Sequence, residues 1–192
     1  MRPDVWMLYI PNSPTSMYYR GRVENSWSKY KMKFFEAVTP ETLHEKDYLK
    51  FGRKQPTRKR KTVVDFSPTE KATWYSHVEL WKKALEKPIL IIEHDAMMTK
   101  KIEDKWWDMD IVCFGYNKKP GKQLAGLAYY LTPKIANILV KRALKTDPID
   151  FNPDALIHHF CKRHGKLDCQ HVLQFSNKLI GNTIEHNYNE NI

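Results

Sequence analysis

The triplet Glu93-His94-Asp95 follows directly on Ile89-Leu90-Ile91-Ile92. Four consecutive apolar residues, three of them β-branched, read as a strand buried on both faces, as in a parallel sheet. In open α/β sheets ligands bind beyond the carboxyl ends of the strands, so the triplet predicts a ligand site there. Two carboxylates two positions apart repel each other and lose hydration on burial. A hard divalent cation, Mg²⁺ or Mn²⁺, offsets both effects and also bridges phosphate oxygens. His94 either adds a nitrogen ligand favouring Mn²⁺ or points away. The competing reading is a polar strand end that opens a solvated loop.

Other residue groups carry chemistry of their own. Pro11, Asn12, Ser13 and Ser16 fall in a turn after a first apolar run, Val5 to Ile10, where an α/β site typically holds a base or ribose. Between Lys50 and Lys61 stand seven basic residues and no acidic one. Arg53, Lys54, Arg58, Lys59, Arg60 and Lys61 are therefore candidates to hold a phosphate backbone, against the alternative of a solvated loop. The segment from His158 to His171 gathers His158, His159, Cys161, His164, Cys169 and His171. A tetrahedral zinc site is conceivable there, but the spacings match no common finger, and one amphipathic helix is the preferred reading.

These groups need elements to position them. Val5–Ile10 and Lys31–Val38 read as strands flanking a helix from about Met17 to Trp27. Residues 40–66 form a basic loop insertion. Ser67-Pro68-Thr69-Glu70 is a capping box with Pro at the first helical position, opening a helix whose inward stripe is Trp74, Val78, Trp81 and Leu85. Asp110–Phe114, Leu127–Leu131 and Val172–Phe175 are further strands. Thr132-Pro133 caps a helix with Ile135, Ile138, Leu139 and Ala143 inward, and Asn152-Pro153 opens another with Leu156, Ile157 and Phe160 inward. The pattern predicts a single α/β domain over residues 1–182 with a mixed sheet and helices on both faces, then a polar tail over 183–192.

Composition sets the bounds. The chain has 192 residues, 42% of them hydrophobic and 12% aromatic, which excludes a disordered polyelectrolyte. No apolar run approaches the ~20 residues of a membrane span, and no signal peptide is read at the N-terminus. The formal net charge of +10 predicts an anionic partner. Three Cys, few and odd in number, predict a reducing cytoplasm.

The stretch from Ser67 to Met98 resembles the signature of family 25 glycosyltransferases, a GT-A-type group. Glu70 matches the family's early Glu, Ser76-His77 its Ser-His pair, and Trp81 its helix aromatic. Glu93-His94-Asp95 stand where the family has Glu-Asp-Asp, with His94 replacing the first Asp. Phe114-Gly115, Gly126–Leu139 and Pro148-Ile149-Asp150 resemble later family elements in the right order. The resemblance implies a GT-A-like fold and a metal-dependent transfer of a hexose from a nucleotide sugar, such as UDP-glucose. It implies Glu93, His94 and Asp95 as metal ligands, with His171 able to complete the sphere, and Ser76, His77 and Glu93 as donor contacts. Asp95 and Asp150 become the catalytic pair, Asp150 as general base on the acceptor or else as a helix N-terminal charge. YIPNSPTSMYY, FEAVTPETL and EHDA are similar to glycosyltransferases of phages that hypermodify their DNA. That similarity implies double-stranded DNA bearing glucosylated hydroxymethylcytosine as acceptor. A lipopolysaccharide or capsule sugar transferase and a non-catalytic basic nucleic-acid binder are the alternatives.

Overall fold

The computed structural model describes residues 2–54, 62–116, 126–145 and 148–174. Within them the chain runs β1 (Asp4–Tyr9), α1 (Pro14–Ser26), β2 (Met32–Glu36), α2 (Pro68–Lys83), β3 (Ile89–Glu93), β4 (Ala96–Met98), β5 (Ile111–Tyr116), β6 (Ala128–Leu131), α3 (Pro133–Ala143), α4 (Pro153–His164) and β7 (Lys166–Gln174). The strands make one mixed sheet in the order β2-β1-β3-β6-β5-β7-β4. β2, β1 and β3 are parallel, and β6 runs antiparallel between β3 and β5. β7 is parallel to β5 and antiparallel to β4. This is the expected α/β architecture with a mixed sheet.

β3 lies at its centre because its sequence has no polar face. Ile89 and Ile91 pack with Trp74, Val78 and Trp81 of α2, Ile135 and Leu139 of α3, and Leu156 and Ile157 of α4. Leu90 and Ile92 point the other way, to Val23 and Trp27 at the end of α1. All four are fully buried, each worth about 1.5–3 kcal/mol of burial free energy. Helices thus cover both faces, and the C-terminal end of β3 is fixed by its own core.

The capping box of α2 is made: Glu70 N–H donates to Ser67 Oγ (3.3 Å), and Ser67 N–H to Glu70 Oε2 (2.9 Å). Leu85 leaves the predicted stripe because α2 ends at Lys83, and it is 41% exposed. Ile138 of α3 is also exposed, since Ile135, Leu139 and Ala143 already fill the inward face. Thr132 precedes α3, but its hydroxyl donates to Asp110 O (3.2 Å) instead of capping the helix. Asn152 makes no side-chain cap either.

The His/Cys-rich segment is not one helix. Gly165 stops α4 because a Cβ there would lie 1.7 Å from Ile111 O, and the chain turns into β7. A disulfide joins Cys113 of β5 to Cys161 of α4. Two of the three cysteines are thus paired, a bridge that the cysteine count alone does not foretell. No helix among the described residues is long and apolar enough to cross a membrane.

Candidate active site

A cavity of about 660 Å³ opens where the C-terminal ends of β1, β2 and β3 meet the first half of α2. Pro11, Asn12 and Ser13 wall it on one side, and the segment after β2, residues 37–42, on another. Thr69, Thr73 and Ser76 of α2 face it, and Glu93 and His94 stand at its edge.

The walls are built by local chemistry. Asn12 has φ 60°, a left-handed conformation that Asn tolerates better than most residues, and it turns the chain from β1 into α1. Ser13 caps α1, accepting from Ser16 N–H, and Pro14 takes the first helical position. Ser16 is buried, and its Oγ accepts from Ile10 N–H (2.8 Å). It therefore braces the turn and does not line the cavity. Ser76 lines the cavity, yet its Oγ accepts from Val38 N–H (2.9 Å) and donates to Ala72 O (2.9 Å). Its visible role is to pin the segment after β2 to α2.

Three carboxyl groups crowd the end of β3. Glu93 is half-buried and Asp95 only 4% exposed. Burial, with the charges of Asp95 and Asp154 nearby, pushes Glu93 well above the ordinary carboxylate range. Burial pulls His94 down, opposed by Asp95. Asp154, in the first turn of α4, is exposed as a residue, and partial desolvation of its carboxyl raises it. Gly126 makes room for that carboxyl: a Cβ at Gly126 would lie 2.0 Å from Asp154 Oδ1. The neighbouring Leu127 carbonyl accepts from Glu93 N–H (2.9 Å), which brings the start of β6 to the same place. Asp95 is not part of the cavity wall. Among the described residues no three His, Cys, Asp or Glu side chains are placed together to hold a metal ion.

His77 points into the core, not the cavity. Its Nδ1 lies 2.7 Å from Tyr129 Oη, which also accepts from Trp81 Nε1 (2.9 Å). Burial lowers His77 to about 4, so the ring is neutral at physiological pH. Its Nε2 is buried without a hydrogen-bond partner.

The remaining sequence candidates lie elsewhere. Asp150 is exposed beside Ile149, which bridges to Phe51. His171 is buried on β7, edge-on to Phe114, with Nδ1 3.3 Å from Lys100 O, and does not line the cavity. Lys54 is 8% exposed and its ammonium is held by Glu70 (2.5 Å), so it is not available to an incoming phosphate. Arg53 pairs with Asp65 (3.2 Å) in solvent. Arg58, Lys59, Arg60 and Lys61 lie outside the described residues. The zinc arrangement is not formed among the described residues, where Cys161 is in the disulfide.

Sequence reasoning missed Asp154, Tyr129 and the wall after β2. Thr69 and Thr73, one turn apart on the side of α2 away from the Trp stripe, were the available signal for the last of these. For Asp154 the signal was weaker: an acid in a first helical turn is usually read as a dipole partner.

Residues 20–111, just under half of the chain, match the model of glycosyltransferase family 25 (LPS biosynthesis protein). The match spans the cavity walls contributed after β2, by α2 and by the end of β3. Among solved structures, a glycosyltransferase involved in the glycosylation of the major capsid of PBCV-1 is similar, with 11% identity and a TM-score of 0.49. That similarity covers 91% of this chain and 94% of the other. No curated protein matches the chain.

Proposed function

We propose that the chain is a glycosyltransferase that moves a hexose from a nucleotide sugar, UDP-glucose in the first instance, to a hydroxyl of an anionic acceptor. The observation that carries this is the 660 Å³ cavity at the C-terminal strand ends, edged by Glu93 and His94, within the region matched by the family model. Its volume falls within the ~300–1,000 Å³ usual for small-molecule and cofactor sites.

In this reading Asn12, Ser13 and the segment after β2 hold the nucleotide, and Thr69 and Thr73 offer hydroxyls to it. Crowding of Glu93, Asp95 and Asp154 suits a divalent cation, which would relieve their mutual repulsion. In this reading Mg²⁺ or Mn²⁺ would be held in the mode where one or two carboxylates are completed by substrate phosphates, with Glu93, His94 and Asp95 as the candidate donors, although among the described residues no three such side chains stand together as a ready-made site. Bound there, the cation would offset charge developing on the departing diphosphate. The acceptor proton goes to a carboxylate, and we assign this role to Asp154, whose charge reaches Glu93 at the end of β3, in preference to Asp150; both residues are exposed. As the acceptor oxygen bonds to the sugar's anomeric carbon, the bond to the diphosphate breaks and the nucleoside diphosphate leaves with the electron pair.

The net charge of +10 favours a polyanionic acceptor. Glucosylated hydroxymethylcytosine in duplex DNA is one such acceptor. A truncated lipopolysaccharide is the other, favoured by the family's description. The test is transfer of labelled glucose from UDP-glucose to each, with and without Mn²⁺. Asp95→Ala and Asp154→Asn should lose turnover while Asp150→Asn retains it. Binding of DNA with no turnover from any nucleotide sugar would sink the enzymatic reading. Label on lipopolysaccharide alone would sink the DNA acceptor.

A further inference from the structure

A second cleft, of about 210 Å³, lies at the opposite end of the sheet. Arg2 precedes β1, and Lys29 and Tyr30 precede β2, so the cleft faces the N-terminal ends of strands whose C-terminal ends carry the cavity. The six residues of β1 put roughly 20 Å between the two sites. Met98, Lys100 and Lys101 close the cleft from the other side.

Its chemistry is one-sided. Of its nine lining residues four are cationic and none is acidic. Lys29, Lys100 and Lys101 are exposed, and no salt bridge among the described residues engages them. Of the neighbouring acids, Asp104 pairs with Arg2 (3.3 Å) and Glu103 with Lys105 (2.6 Å), and their charges also reach Lys101 and Lys100. The remaining excess of positive charge, three exposed lysines beside two acids that already pair with Arg2 and Lys105, focuses its field in a concavity on an incoming anion. The half-buried Tyr30 ring, with the Arg2 guanidinium 5.9 Å from its centroid, adds an aromatic wall. At ~30 Å³ per water the volume equals about seven waters, room for one backbone phosphate and its sugar. None of the exposed large apolar side chains lines the cleft, so it lacks the apolar face that a membrane-surface anchor needs.

We propose that this cleft binds the phosphodiester backbone of a nucleic-acid strand, with the lysines on phosphate and Tyr30 beside the sugar or base. Phosphate contact supplies the affinity, and the aromatic wall favours a strand over a free anion. The proposal goes beyond the transferase reading and does not depend on it, because none of these residues touches the donor cavity.

The test uses the full chain and the variant Lys29→Gln/Lys100→Gln/Lys101→Gln, with anisotropy of a labelled single-stranded oligonucleotide measured across a salt series. Each phosphate contact contributes about 0.7 to the slope of log affinity against log salt on single strands, so the variant's slope should be shallower by about 2. Thermal melting confirms that both proteins are folded, and UDP-glucose hydrolysis should be equal in the two. Equal salt slopes would overturn the proposal. Loss of binding to phosphatidylserine vesicles with unchanged oligonucleotide binding would overturn it too, in favour of a membrane surface. Loss of hydrolysis in both proteins would count against the transferase reading alone, since the slope comparison does not use it.

Discussion

Replacing Ser76 by Ala tests how the cavity at the strand ends is held in shape. The Ser76 hydroxyl accepts from Val38 N–H and donates to Ala72 O, each at 2.9 Å. Ala72 O can keep its helical bond, so losing the second contact costs little. Val38 N–H loses its partner in a partly buried place, which costs about 1–2 kcal/mol. Ala is the better helix former by roughly 0.5 kcal/mol, leaving a net loss near 1 kcal/mol. In a chain of this size that lowers the melting temperature by about 2–4 °C. The segment from Ala37 to Thr42, released from α2, should hold nucleotide less well, and ~1 kcal/mol of lost organisation weakens binding about fivefold. Calorimetry gives the melting temperature, and titration with UDP gives the affinity. A drop in melting temperature with unchanged UDP affinity would refute the claim that this segment shapes the site. No change in either would refute the hydrogen bond itself.

Other expectations follow from the same structure. Glu93 titrates higher folded than unfolded, so its favourable term is complete below 4.5 and fades as pH rises through the folded value; metal-free Glu93→Gln should melt higher than wild type at pH 8 and show a flatter pH dependence. His77 behaves oppositely. It is held neutral down to about 4, so stability is lost as pH falls from 6.5 towards 4, by about 3 kcal/mol in all, and urea denaturation of His77→Gln should lack that acid-side loss. The Cys113–Cys161 bridge spans 48 residues, for which loop-closure entropy gives about 4 kcal/mol; denaturant unfolding with and without a reductant should differ by that order, and coincident curves would mean the bridge is not formed.

Much of the architecture was legible because strong local signals agreed with the global fold. The capping box at Ser67, Pro at the starts of α2, α3 and α4, and the unbroken apolar run of β3 each mark their elements. α1 starts three residues earlier than predicted, because Pro14 is equally at home in a turn and at a helix start. β4 has three residues and no alternation to reveal it. Only the end of β7, from Val172, was legible; its start lay in a dense run of His and Cys, where the close approach at Gly165 divides helix from strand. In the site, Pro11, Asn12, Ser13, Ser76, Glu93 and His94 were all named from sequence and all line one cavity. Ser16 and His77 have polar side chains of the right type but spend them inside the protein. Asp154 joins Glu93 only through tertiary folding across some sixty intervening positions, which no local pattern encodes.

The antiparallel insertion of β6 has a consequence for how such a molecule diversifies. Every residue walling the large cavity falls between Leu8 and His94, whereas Gly126 and Asp154 reach the end of β3 from the later part of the chain. The two contributions meet across a single strand end but are encoded separately. If the chain acts as proposed above, exchanging the later segment between homologues would rewrite one partner of the reaction and leave the handling of the other untouched, a division of labour along the gene itself.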